Sequence, residues 1–313
     1  VSVSRGRDPG SRVDGGSPDP GDGTVSGPID AARTAQAVLQ PRDSREVAPP
    51  GAELTGDQAL ARSATAEASA DLRGTGAYPA TMEVDLALPN ATIYRPADLD
   101  RLGRRKLGLM VWGNGGCSND GASARAHLAE VASHGYLVIA PGRPLTGPLA
   151  LPGAPEPRPM QSTIQDLRGA LDWALAENGR PGSPYYRRID PATVAAAGHS
   201  CGAMQAILLA DDRRIRTLIV HNSGIVPILP DNPPLVMHSE LLRGVRQSTL
   251  IILGGESDVV WKYGLQTFDQ LDRAPVMLAS RDTGHGGMFG QPHGGEVAAL
   301  AVKWLDWRLR GDK

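Results

Sequence analysis

The chain has 313 residues, a formal net charge of −2 and a pI near 6.4. That balance gives no reason to expect nucleic acid or an anionic membrane as partner. No apolar run reaches the roughly 18 residues a membrane-spanning helix requires, so no membrane span is expected. The two cysteines, Cys117 and Cys201, are too few for a disulfide scaffold and the wrong number for a structural zinc site.

Residues 1–73 carry Gly, Pro, Ser and Asp clusters and no Phe, Tyr or Trp. Such a segment has little to bury against its ordering entropy, so it reads as a flexible or weakly helical arm. Ala-rich stretches at 29–39 and 57–70 are its helix candidates. A start at Val1 instead of Met fits a trimmed or mature form. Residues 74–313 read as one globular domain. Within it, 82–88 alternates apolar and polar residues, a Pro-Asn turn follows, and 92–94 completes a predicted hairpin.

Apolar strand-type runs then alternate with helical patterns. Strands are predicted at 107–112, 136–140, 193–197, 217–221, 249–253 and 275–279. Helices are predicted at 122–133, 162–177, 201–210, 259–271 and 296–309. Continuous apolar strands alternating with helices imply an α/β protein, with a mostly parallel sheet covered on both faces. In the last helix Val297, Leu300, Ala301, Trp304 and Leu305 share one stripe, which is core packing by period.

Gly198-His199-Ser200-Cys201-Gly202 has the G-x-S-x-G form, and it lies between the 193–197 strand and the helix that follows. The pattern alone is weak; strand, tight turn and helix supply the setting that gives it meaning. A nucleophile must project from a strained turn, and flanking glycines avoid collisions there. The next helix offers N–H groups and a positive dipole end to a developing oxyanion. Serine needs a base to take its proton, and after such a turn the partners follow in the order Ser, acid, His.

His285 sits in Asp282-Thr283-Gly284-His285-Gly286-Gly287, between the last strand and the last helix, and is the favoured base. His293 in the same loop is its rival. The 249–253 strand runs into Gly254-Gly255-Glu256-Ser257-Asp258. Asp258 is preferred over Glu256 as the acid because it lies farther into the loop. The loop Trp112-Gly113-Asn114-Gly115-Gly116-Cys117 is glycine-rich enough for backbone N–H groups to approach a ligand. Oxyanion donors are therefore expected from Asn114, or its neighbour Gly115, and from Cys201. Trp112, Gly115 and Trp261 are candidate substrate walls, although packing is the commoner fate of a tryptophan. The Pro- and Gly-rich stretch 142–159 is either a pocket lining or a surface loop.

These residues resemble the α/β-hydrolase superfamily over roughly 78–310. Gly198 to Gly202, Gly254 to Asp258 and Gly284-His285 look like its dienelactone-hydrolase-like and polyester-hydrolase (cutinase-like) branch. The resemblance implies a Ser200-Asp258-His285 triad and a serine carboxylic ester hydrolase without cofactor or metal. Its substrate would be a small, medium or polymeric ester. Trp112-Gly113 stands where that branch often has His-Gly, and Cys201 where it often has Met or Gln. In this fold the segments carrying Cys117 and Cys201 are neighbours, so a disulfide is expected, against the alternative of two buried thiols. Its formation would favour a secreted or periplasmic location over the cytoplasm.

Overall fold

A computed structural model describes residues 2–7, 72–226 and 239–312 of the chain, with residues 2–7 as backbone only. Nine strands form one sheet. They are β1 (Ser2–Arg7), β2 (Ala80–Glu83), β3 (Ala91–Pro96), β4 (Leu107–Gly113), β5 (Tyr136–Pro141), β6 (Ile189–His199), β7 (Thr217–His221), β8 (Ser248–Leu253) and β9 (Val276–Ser280). Their order is β1-β9-β8-β7-β6-β4-β5-β3-β2. Strands β4 to β9 pair in parallel, while β1, β2 and β3 join through antiparallel pairings. The helices are α1 (Arg125–Ser133), α2 (Ile164–Gly179), α3 (Cys201–Leu208), α4 (Trp261–Gln270) and α5 (Gly295–Leu305).

Both faces of the central strands are apolar, and alternation divides them between two cores. Leu107, Leu109 and Val111 of β4 point into one core with Leu167 and Leu171 of α2 and Ala203 and Ile207 of α3. Met110 and Trp112 point into the other, with Leu128 and Val131 of α1 and Val302 and Trp304 of α5. The same split runs through β6, where Val194 and Ala196 oppose Ala195 and Ala197. The molecule is thus α/β, with a mostly parallel sheet and helices on both faces. Each wholly buried Leu, Ile or Val contributes roughly 1.5–3 kcal/mol through its removal from water.

Several elements differ from their sequence-based bounds for local polar reasons. The strand expected over 82–88 ends at Glu83, because Asp85 accepts the Ala87 N–H at 2.7 Å and turns the chain. The helix expected from 122 starts at Arg125: Asp120 binds the Ala122 N–H, and residues 121–124 form turns. Helix α2 starts one residue after Thr163, which forms a capping box with Asp166. The final helix changes to a π-helical turn at Asp306–Arg310, where Arg310 bonds the carbonyls of His134 and Gly135. Within the arm read as flexible or weakly helical, Ser2–Arg7 instead pairs antiparallel with β9. An edge strand held by backbone pairing needs no apolar alternation, so composition does not announce it. The helix candidates at 29–39 and 57–70 lie outside the described residues.

Parallel strands end on one edge, and five neighbours deliver the candidate residues there. β4 leads into Asn114, β6 into Ser200, β7 into Asn222, β8 into Asp258 and β9 into His285. The carboxyl edge of such a sheet is where α/β folds place their ligand crevices.

Candidate active site

Ser200 occupies the turn between β6 and α3 at φ 52° and ψ −121°. A non-glycine residue held there stores about 1–3 kcal/mol of strain and needs its surroundings to enforce it. They do so from both sides. Ser200 N–H donates to the His221 carbonyl at 3.0 Å, and the Ser200 carbonyl accepts from Ser223 Oγ at 2.9 Å and from the Ala203 N–H at 3.0 Å. Close backbone approach adds to this: a Cβ on Gly202 would lie 2.0 Å from the Gly113 carbonyl carbon, and one on Gly198 2.4 Å from Gly202. Glycine at 202 therefore lets the turn seat against the loop after β4.

Ser200 Oγ lies 2.9 Å from His285 Nε2, and His285 Nδ1 lies 2.8 Å from Asp258 Oδ1. The Asp258 side chain is wholly buried, while a third of the His285 side chain is exposed. Burial alone would raise the Asp258 pKa. The hydrogen bonds from His285 and the Val260 N–H outweigh it and hold the carboxyl below its ordinary value. A carboxylate accepting at Nδ1 leaves the Nε2 lone pair of a neutral imidazole facing the serine hydroxyl. The structure brings neither rival into this line. Glu256 is exposed, and His293 Nδ1 faces Glu130 at 3.9 Å.

Cys117 and Cys201 form a disulfide that closes a span of 84 residues, with Cα atoms 5.2 Å apart. It joins the loop after β4 to the residue following Ser200. Asn114 is wholly buried, and its Nδ2 donates to the carbonyls of Ser118 (3.0 Å) and Pro141 (2.8 Å). That side chain shapes the loop, so only its backbone N–H is left to meet an anion. Gly115 abuts His199: a Cβ there would stand 2.5 Å from His199 Nδ1.

The two tryptophans occupy different settings. Trp112 is wholly buried, with its ring 5.3 Å from His127, 5.5 Å from His221 and 5.7 Å from Phe289. It packs beneath the site and presents no open wall. Trp261 is half-buried at the start of α4, two residues past Val259. Segment 142–159 lines a cavity of about 820 Å³ together with Asn90, Asn119 and Gln161. Ser200 and His285 do not line it. The residues that follow segment 142–159 are tied to the disulfide loop. Met160 N–H donates to the Gly116 carbonyl, and the N–H groups of Gln161 and Ser162 donate to that of Cys117.

Residues that the sequence reading passed over also converge here. His199 Nε2 lies 2.8 Å from the His285 carbonyl oxygen, and Asn222 Nδ2 donates to the carbonyls of Gly284 and His285. His199 fills a variable position of the G-x-S-x-G pattern, so the pattern gives it no weight. Asn222 sits at φ 46°, just past a strand; an asparagine there was the available signal, since it tolerates the left-handed region.

No protein-family model matches the chain, and no curated protein matches it.

Proposed function

We propose that the protein is a serine carboxylic ester hydrolase of the α/β-hydrolase fold. The observation that carries this reading is the continuous Asp258–His285–Ser200 hydrogen-bonded line, ending on a serine at positive φ. In the reaction, Ser200 Oγ bonds to the ester carbonyl carbon as its proton passes to His285 Nε2. Asp258 stabilises the resulting imidazolium without taking its proton. The tetrahedral oxyanion is met by the N–H of Cys201 and that of Asn114 or Gly115, preorganised by the disulfide. Collapse breaks the bond to the alkoxy oxygen, which leaves as alcohol with the proton from His285. Water then attacks the acyl carbon, gives its proton to His285, and the acyl-enzyme resolves to carboxylic acid and free Ser200.

The substrate is a small, medium or polymeric carboxylic ester. The disulfide supports an oxidising compartment, as for a secreted or periplasmic enzyme. Among the described residues no helix is long and apolar enough to cross a membrane.

The test is fluorophosphonate labelling with mass mapping, run beside hydrolysis of p-nitrophenyl acetate, butyrate and octanoate. Label on Ser200 and a fall in turnover of about 10⁶ in Ser200→Ala are expected. No label, with equal background hydrolysis by both proteins, would turn the reading toward a ligand-binding protein. Amides competing equally with esters would turn it toward another serine hydrolase reaction.

A further inference from the structure

The loop that carries His285 has little stiffness of its own. Gly284 and Gly287 both sit at positive φ, at 67° and 61°, and Gly286 lies between them. Its position is set by bonds reaching it from neighbouring strand ends. The Thr283 and Gly284 N–H groups donate to the Gly254 carbonyl, both at 2.8 Å. Two side chains then seize the carbonyls beside the imidazole. Asn222 Nδ2 donates to Gly284 O at 2.8 Å and to His285 O at 3.3 Å, and His199 Nε2 reaches His285 O at 2.8 Å.

We propose that His199 and Asn222 are positioning residues that latch the His285 peptide, so that its imidazole stays in line with Ser200 and Asp258. This rests on the serine-hydrolase reading above and adds to it two residues that touch neither substrate nor reacting atoms.

The chemistry of His199 fits a latch better than a filler. A carbonyl only accepts, so Nε2 carries the proton and donates it. Packing alone would be met by an apolar ring, as Phe289 shows at 4.8 Å from the His199 ring. The opposite nitrogen, Nδ1, faces Gly115 in the loop after β4. One imidazole therefore braces the base-bearing loop against the loop that offers the oxyanion donors. His199 must also stay uncharged, because His285, 5.3 Å away between ring centroids, becomes imidazolium during acylation. Burial lowers the His199 pKa to about 4; the His285, His127 and His221 imidazoles oppose a charge on it, whereas the hydrogen bond to the His285 carbonyl and the Asp258 carboxylate favour one and are outweighed.

The test uses His199→Phe, which keeps a ring and removes the donor, and His199→Gln, which restores an N–H of similar reach. Asn222→Gly is the third variant; glycine accepts the positive φ and deletes the second donor. For His199→Phe, kcat on p-nitrophenyl butyrate should fall by about 10–100-fold, with KM within about threefold of wild type. Fluorophosphonate labelling should slow by the same factor. The low-field proton resonance of the His285 Nδ1–H should weaken or shift. His199→Gln should recover at least a third of the lost kcat on a logarithmic scale, and Asn222→Gly should lose kcat in the same sense. A His199→Phe enzyme with kcat within twofold of wild type overturns the latch, as does a rise in KM alone, which would make the ring a substrate wall. If both His199 variants fail to fold, Asn222→Gly decides: unchanged kcat and unchanged labelling overturn the proposal. Wild type that resists the label fails the serine-hydrolase reading itself, whereas a reactive wild type with equally reactive variants fails the latch alone.

Discussion

Asp258 tests the residue scale most sharply, because one of its carboxylate oxygens serves two donors. It accepts the His285 Nδ1–H at 2.8 Å and the Val260 N–H, which starts α4, at 3.0 Å. Both bonds end on Oδ1, so an asparagine that keeps its oxygen there retains them but lacks the charge that stabilises imidazolium, and one turned the other way offers an amide N–H to the imidazole and reverses its tautomer. For Asp258→Asn we expect kcat to fall by about 10⁴ with the thermal midpoint nearly unchanged, measured by ester turnover and calorimetry. A tenfold loss or less would mean that Asp258 does not orient the base. The three residues in this line were legible because each follows an apolar strand in an order the chain itself displays. His199 and Asn222 were not, since their effect runs through a backbone carbonyl about 86 and 63 residues away. Trp112 was ambiguous for another reason. A tryptophan ending a strand reads alike whether it faces a cleft or a core, and here His127, His221 and Phe289 close around it.

At the scale of elements, the disulfide links two loops that the sheet alone holds in contact through Gly113 and Gly202. Two effects should separate on its removal. The closed span of 84 residues corresponds to about 4–5 kcal/mol of chain entropy, and the cut also frees the Asn114–Gly116 turn beside Ser200. The double variant Cys117→Ala/Cys201→Ala should therefore lose about 2–5 kcal/mol in urea unfolding, and its kcat should fall, up to the 10²-fold typical of a damaged oxyanion site. Full kcat in the double variant would show that the glycine contact suffices to fix the donors. Cysteine spacing could not by itself decide pairing. What made it legible was the placement of each cysteine at the end of a strand–loop unit in a parallel sheet, β4 and β6, which the fold sets side by side. Element ends were less legible because a single carboxylate, Asp85 after β2 or Asp120 before α1, moved them by several residues.

On the scale of the whole molecule, two buried histidines and the half-buried His199 make stability depend on pH. His127 and His221 are wholly buried under the sheet's carboxyl edge, their rings 4.9 Å apart and edge-on, and none of their ring nitrogens has a hydrogen-bond partner among the described residues. Edge-on packing lets a ring N–H face a neighbouring π surface, a weak substitute for a hydrogen bond. Burial lowers the His127 pKa to about 3 and holds that of His221 well below its usual value; His199 above them is lowered to about 4. In each case the folded pKa lies below the unfolded value of about 6.5, so the unfolded chain binds the proton first. The contribution to stability is present above pH 6.5 and is lost as pH falls toward the folded values. Between pH 7 and pH 5 each such histidine should remove about 2 kcal/mol from the unfolding free energy, before carboxylates begin to titrate. Urea titrations at the two pH values measure this difference. His127→Leu, whatever it does to packing, deletes one titrating group, so its pH 7 to pH 5 loss should be smaller than that of wild type by about 2 kcal/mol. An identical loss in both proteins would mean that His127 takes up its proton alike in the folded and unfolded chains, and would overturn the claim that burial keeps it neutral.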